Sequence, residues 1–341
     1  MSTRSMIDER IFNGAPAFKL SPNADFISVA ATLRKCLPST GNLESSMTRL
    51  GFVWRCLLGT GALLITLLSM VSQAIDIPPG QAIAPPPGKS ALRFELNAFK
   101  LGDQYHYGKA LGTGANIRFE TLGIQYSRSL QVKNRLLGFY VNGSLARARP
   151  GGTLSGLPKV SGLTDSAAAL VTWLHADPEK GRYAVLGTFM VLPTGHYDSD
   201  RAINLGNNRL AGGLQLGYHT RLAKNWDAML TSDVTFSAKN NDYRLTHQDY
   251  KQKPLYSMQF SLMHHIDSTL MLSGTYYRYR GGEGRLDGAP LDNPINRHRY
   301  EMVLSKRVKS GKYELYLGKD SSTYNGLIEK YRLSFRYQYY F

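Results

Sequence analysis

The chain has 341 residues, and 41 Lys and Arg against 25 Asp and Glu give a formal charge of +16. Only one stretch approaches the ~20 consecutive apolar residues of a helical span, which excludes a polytopic helical membrane protein. Two cysteines, Cys36 and Cys56, are too few for a disulfide scaffold or a Cys-rich metal site.

The apolar stretch runs from Leu57 to Val71, behind Arg49 and Arg55 and ahead of Ser72-Gln73-Ala74. A basic flank, an apolar core and small residues before a break predict a secretory signal peptide over 47–74, cleaved after Ala74. A membrane anchor fits less well, since the run is short and Asp76 with Pro78-Pro79 follows at once. Residues 1–46 read as a pre-extension absent from the mature protein. The 74 residues removed carry both cysteines, seven basic and four acidic side chains, so the exported chain is cysteine-free with a charge of +13. Export argues against a nucleic-acid partner, despite the basic balance.

Residues 75–89 hold five prolines and predict an extended, unpaired periplasmic lead, too short for a full plug but able to reach into the lumen. Beyond them the sequence alternates with period two. Tyr331, Leu333, Phe335, Tyr337, Tyr339 and Phe341 share one face of the last segment, and Arg332, Ser334, Arg336, Gln338 and Tyr340 share the other. Leu92, Phe94 and Leu96 against Arg93, Glu95 and Asn97 repeat the split, as do Leu214, Leu216 and Tyr218 against Gln215, Gly217 and His219.

Twelve strands are expected, near 90–100, 117–130, 135–147, 162–176, 181–195, 209–222, 225–239, 254–266, 268–281, 296–308, 311–320 and 328–341. Tight turns such as Ala223-Lys224 join the second to third, fourth to fifth, sixth to seventh, eighth to ninth and tenth to eleventh. The other connections are mostly longer and rich in Gly, Asn and charge. Short and long connections alternating, with both termini at the short-turn end, predict an all-β fold, a transmembrane antiparallel up-and-down barrel of about twelve strands over 90–341. In hydrocarbon every backbone N–H and C=O must be paired within the protein, which a closed barrel achieves. A terminal Phe341 behind an aromatic face resembles the C-terminal strand read by the barrel-assembly machinery. The lipid partners expected of such a barrel are outer-membrane lipid and lipopolysaccharide.

Pro193-Thr-Gly-His-Tyr-Asp198, Asn204-Leu-Gly-Asn-Asn-Arg209, Asn240-Asn-Asp242 and Gly281-Gly-Glu-Gly-Arg-Leu-Asp-Gly288 occur in that order. Together they resemble the outer-membrane channel family associated with the meta-pathway of phenol degradation, over about Pro85 to Phe341. The resemblance implies an outer-membrane transporter with small aromatic or hydrophobic cargo.

Parity sets the expected channel lining. Arg93, Glu95, Asp227, Asp233, Arg299, Glu301, Glu314, Arg332 and Arg336 should face the lumen. Arg93, Glu95, Arg299, Glu301, Glu314, Arg332 and Arg336 should share one wall, as either a cationic strip for anionic solutes or an internal salt-bridge network. On the fourth and fifth strands both faces are apolar. Placing Val171, Trp173, Tyr183, Val185, Phe189 and Val191 against lipid puts Ala168, Leu170, Leu174, Leu186, Met190 and Leu192 inside as an apolar patch. Pro193, Gly195, Asn204, Gly206, Asn207, Gly281, Gly282, Asp287 and Gly288 are candidates for a gating loop or for turn geometry alone. Asp198, Asp200, Glu283 and Asp287 read as solvated loop acids rather than a cation site, and no metal or cofactor is expected. A lipid-modifying enzyme on a twelve-stranded barrel is the rival reading, and a non-transporting structural barrel a third. His264-His265, His196 and His247 show no partner motif for catalysis.

Overall fold

Alternating apolar and polar side chains can be satisfied on both faces only if one side meets hydrocarbon and the other meets the protein's own interior. The computed structural model, which describes residues 76–341, adopts that solution. The expected pre-extension and signal peptide lie outside the described residues.

Twelve long strands are β1 (Ser90–His106), β2 (Asn116–Val132), β3 (Arg135–Gly151), β4 (Ser166–Asp177), β5 (Arg182–Leu192) and β6 (Ala211–Ala223), followed by β7 (Trp226–Ser237), β8 (Leu255–His265), β9 (Leu270–Gly281), β10 (Ile295–Val308), β11 (Gly311–Thr323) and β12 (Gly326–Tyr340). Each pairs antiparallel with its chain neighbours, and β12 pairs with β1, so the barrel closes without a free edge. Ser90 and Phe341 exchange backbone hydrogen bonds at the seam, at 2.8 and 2.9 Å.

Both ends of the barrel chain lie at the turn end. Connections there are as short as Lys133-Asn134, Lys224-Asn225 and Lys309-Ser310. Asp267 builds another of these turns by accepting from the Thr269 hydroxyl and from the Thr269 and Leu270 amides, which lowers its carboxyl to about 2. At the loop end the connections are long, except Tyr324-Asn325 between β11 and β12. Two segments expected as plain loops are partly ordered: Asn240–Tyr243, Gln248–Gln252, Gly284–Leu286 and Ala289–Pro290 make a second, four-stranded sheet.

The outward face is apolar: Phe94, Leu96, Leu122, Ile124, Leu145, Leu216, Phe260, Met302, Leu315 and Phe335 are all exposed. A soluble barrel would bury such side chains, and this inversion is what hydrocarbon requires. Towards the loop end the band gives way on one arc to cations. Lys100 pairs in register with Arg118, and Arg118 with Arg149. Arg278, Arg280 and Lys319 lie outward at the same end. On β4–β7 the corresponding level holds Leu170, Met190, Leu192, Leu214 and Phe236 instead.

The face assignment on β4 and β5 is opposite to the sequence expectation. Tyr183, Val185, Phe189 and Val191 are buried inward, whereas Leu170, Leu174, Met190 and Leu192 are exposed outward, Met190 by 44%. Leu186 alternates with Val185 and lies on the outward face with Met190. Register decides the matter: Gly187 pairs with Gln215 of β6, and Gln215 is buried inward. Leu186 and Met190 therefore do not line the interior. Trp173 and Val171, expected against lipid, pack inward around Ala82.

Candidate functional site

The lumen wall is built where β10, β11, β12 and β1 bring alternate residues to one side. Register sets Glu95 opposite Arg336 and Arg336 opposite Glu314. Arg336 Nε lies 2.7 Å from Glu95 Oε2, Arg93 Nε 3.9 Å from the same oxygen, and Lys312 Nζ 2.6 Å from Glu314 Oε1. Further towards the loop end Arg332 pairs with Glu329 at 2.6 Å and Arg297 with Asp320 at 3.4 Å. Aromatic rings lie under the guanidinium groups: Arg336 is 4.1 Å from the Tyr316 ring and Arg332 4.5 Å from Phe99. Among the described residues these wall cations are each matched by a carboxylate, so the arrangement is a salt-bridge network rather than an unpaired cationic strip. Low dielectric makes matched charge the tolerable form, since an isolated buried charge is costly.

Arg299 is matched differently. Its Nη2 donates to Asp76, a residue of the lead, and Tyr279 OH donates to the other oxygen of that carboxylate at 2.8 Å. Tyr277 OH donates to Glu301 Oε1 at 2.7 Å, and Arg299 sits 4.0 Å above the Tyr277 ring.

Of the two courses open to the lead, the periplasm or the lumen, it takes the lumen and runs inside the barrel. It leaves β1 through Gly88 and Pro86, both bonded to Ser129 near the turn end of β2. Trp173 Nε1 donates to Ala82 O at 2.8 Å, and Ala82 packs among Val185, Met229 and Met263. Ile77 N donates to Gln259 Oε1 at 3.2 Å, midway up β8. Prolines suit this path because a residue without N–H needs no buried acceptor. Gly217 makes room for the lead: a Cβ there would stand 2.7 Å from Val185 and 3.8 Å from Ala82. Between the lead and the β1–β3 wall lies a cavity of about 490 Å³ lined by Arg93, Glu95, Gln125, Tyr140, Asn142 and Arg336.

At the loop end the connection from β5 to β6 folds inward. Ala202 and Ile203 pack with Phe99, Leu101, Ile117, Phe119 and Ala148. The apolar lumen patch is thus on β1–β3, and this loop covers it. Asp165 holds the loop's neck, accepting from Gly195 N at 3.1 Å and from the backbone and side-chain nitrogens of Asn207, both at 2.9 Å. Gly195 and Gly206 pass so closely that a Cβ on Gly195 would sit 2.7 Å from Gly206 Cα. Asn204 closes the loop on itself, accepting from Asp198 N and donating to Asp198 O. Pro193 stands exposed at the base of the same loop.

The second sheet sits beside it. Gly281, Gly282 and Gly288 all have positive φ, and Asp287 accepts from Asp249 N and Gln248 Nε2. Tyr243 and Tyr250 stack at 4.1 Å, with Arg209 4.9 Å from the Tyr250 ring. Burial pushes the Tyr250 phenol up to about 12. Tyr197 OH ties the inward loop to this sheet, donating to Asp242 O at 2.7 Å and accepting from Arg244 N at 2.8 Å. The loop acids have protein partners: Asp198 with Arg201, Glu283 with Lys253, and Asp200 with His247.

Asp227 and Asp233 face inward, Asp233 accepting from Ser257 Oγ. Asp227 bridges His265 at 2.8 Å and His219 at 3.4 Å near the turn end, a meeting of three strands that local sequence does not reveal. Among the described residues His219 Nδ1 is buried and has no hydrogen-bond partner.

The COG4313 outer membrane channel from Pseudomonas putida F1 has a similar fold, with a TM-score of 0.75 at 22% identity over 78% of this chain and all of the other. A Pseudomonas aeruginosa FadL homologue is more distant, with a TM-score of 0.39 at 9% identity over 74% of this chain and 89% of the other. No curated protein matches. The model of the family described as "Putative MetA-pathway of phenol degradation" matches residues 88–312. With most of the barrel inside that match, the chain belongs to this family.

Proposed function

We propose that the protein is a channel for passive uptake of small aromatic or hydrophobic molecules across the outer membrane, closed by two of its own segments. The observation that carries this reading is the lumen itself. Its polar network and aromatic rings stand beside a cavity that the lead lines on one side, while the inward loop covers the apolar patch nearer the loop end, both segments held by non-covalent contacts. No covalent link ties either segment to the wall it covers, so displacing them costs their hydrogen bonds, about 1 kcal/mol net each, and their apolar packing, and leaves the closed ladder paired. Arg93, Glu95, Asp227, Asp233, Arg299, Glu301, Glu314, Arg332 and Arg336 are the lining residues. Gly195, Gly206 and Asn207 form the neck about which the loop moves.

Orientation follows the rule that short turns face the periplasm and long loops the exterior. The lead then guards the periplasmic mouth, and the cationic arc of Lys100, Arg118 and Arg149 meets the phosphates of lipopolysaccharide in the outer leaflet. Phe341, paired with Ser90 at the seam, is the residue offered to the assembly machinery.

Liposome uptake of phenol tests the reading. Parent protein should admit phenol, and a variant lacking residues 76–87 should admit it several-fold faster. No uptake through either protein sinks the channel, and lipid turnover in the same liposomes would instead mark a lipid-modifying enzyme.

A further inference from the structure

The pairing of Asp76 with Arg299 has the form of a ligand in a site. Arg299 is buried and lies above the Tyr277 and Tyr279 rings, at 4.0 and 5.5 Å from their centroids. The two rings are parallel to within 5°. Asp76 takes one hydrogen bond from Arg299 Nη2 and one from Tyr279 OH. Among the described residues Arg299 Nε, although buried, has no hydrogen-bond partner. A guanidinium binds a carboxylate best through two parallel N–H groups, and the tethered Asp76 engages the fork through only one of them. One donor is thus left for a carboxylate that is free to turn.

We propose that Arg299 and Tyr279 form a binding site for the carboxylate of a small aromatic acid, and that Asp76 occupies it as an internal stand-in. The inference rests on the channel reading and names its ligand class. Leu255, Tyr277, Tyr279 and Ile295 cluster beside the site and continue towards the loop end, an apolar wall for the ring of such an acid. Glu301, bonded to Tyr277 OH, already places a negative charge behind the tyrosines, which restricts the guest to a single carboxylate. A guest that takes both Nε and Nη2 displaces Asp76, freeing the end of the lead that reaches farthest into the barrel. Ligand binding and opening at the turn end are then one event. An internal competitor also lowers apparent affinity by the fraction of time that it occupies the site.

Benzoate titrated into the detergent-solubilised, exported protein tests this, with phenol as the same ring without a carboxylate. Lead release is read from Trp173, which bonds Ala82, in a Trp226→Phe background. Benzoate should bind Asp76→Asn about tenfold tighter than the parent, as expected if the lead fills the site for roughly nine-tenths of the time. Arg299→Lys keeps the charge and loses the fork, and should bind benzoate about tenfold more weakly than Asp76→Asn in the shared Asp76→Asn background. Phenol affinity should change by less than about twofold throughout, because it lacks the group the fork recognises. Benzoate should also change Trp173 emission in the parent. Equal benzoate affinity in the parent and Asp76→Asn overturns the proposal, as does a phenol response equal to that of benzoate. Uptake of phenol into liposomes without these effects removes the site and leaves the channel, whereas benzoate binding without uptake removes the channel and leaves the site.

Discussion

Glu95 of β1 and Arg336 of β12 pair at 2.7 Å across the seam that closes the barrel. The same carboxylate faces Arg93, so one acid serves two guanidinium groups at the point where the first and last strands meet. Glu95→Gln leaves both cations without that partner in a mostly buried setting, at an expected cost of roughly 2 kcal/mol. Urea unfolding of the detergent-solubilised barrel should show that loss. The reversal potential in a KCl gradient should move towards that of chloride, because the lumen gains net positive charge. An unshifted reversal potential would mean that the pair lies off the ion path.

Ile203 is 2% exposed and anchors the inward loop among Phe99, Ile117 and Phe119. Ile203→Ala should cost about 2–5 kcal/mol of loop anchoring through lost burial and a residual cavity. Amide exchange across Gly195–Asn208 should accelerate while the strands stay protected, and single-channel conductance should rise. Unchanged exchange in the loop would show that Asp165 and Tyr197 hold it without the apolar contact.

His247 pairs with Asp242 at 2.7 Å and with Asp200 at 3.2 Å, and the hydrogen bond to Asp242 first, then the charges of both acids, raise its pKa above the usual imidazole value. A raised value means that the folded loops bind the proton more tightly than the unfolded chain does. The stabilisation is therefore fully present below about 6.5 and is lost as pH rises through the elevated folded value. Proteolysis of the loops between β5 and β6 and between β7 and β8 should speed up across that interval, and His247→Gln should flatten the dependence. The same pH profile in that variant would sink the assignment.

Arg118 and Arg149 stand adjacent on β2 and β3, with Arg149 Nη2 also donating to Glu120 at 2.8 Å. Replacing Lys100, Arg118 and Arg149 together with Gln should weaken binding of bisphosphorylated lipid A by about tenfold or more, at roughly 1 kcal/mol per cation near an anionic surface. Dephosphorylated lipid A should bind both proteins alike. A native mass spectrum with equal lipid A retention in parent and variant would rule the contact out.

Much of the architecture is legible in local pattern. Alternation on β1 and β10–β12 marks the inward face because one face carries Arg and Glu, and the other Leu, Phe and Tyr. On β5 both faces are apolar, so period two alone cannot say whether Leu186 and Met190 face inward or outward. The missing marker was Gln215, whose register with Gly187 fixes the face.

The amino-acid sequence by itself determined the strand number, the alternation of short and long connections as far as β11 and the faces of the charged strands. These follow from side-chain alternation and turn chemistry, which act over a few residues. Tertiary structure alone decided that the proline-rich lead enters the barrel, that Ile203 turns inward and that Asp76 meets Arg299, 223 positions away. Contacts of that kind arise only when closure of the ladder sets distant strands around one lumen, and no local periodicity encodes which segment will fill it.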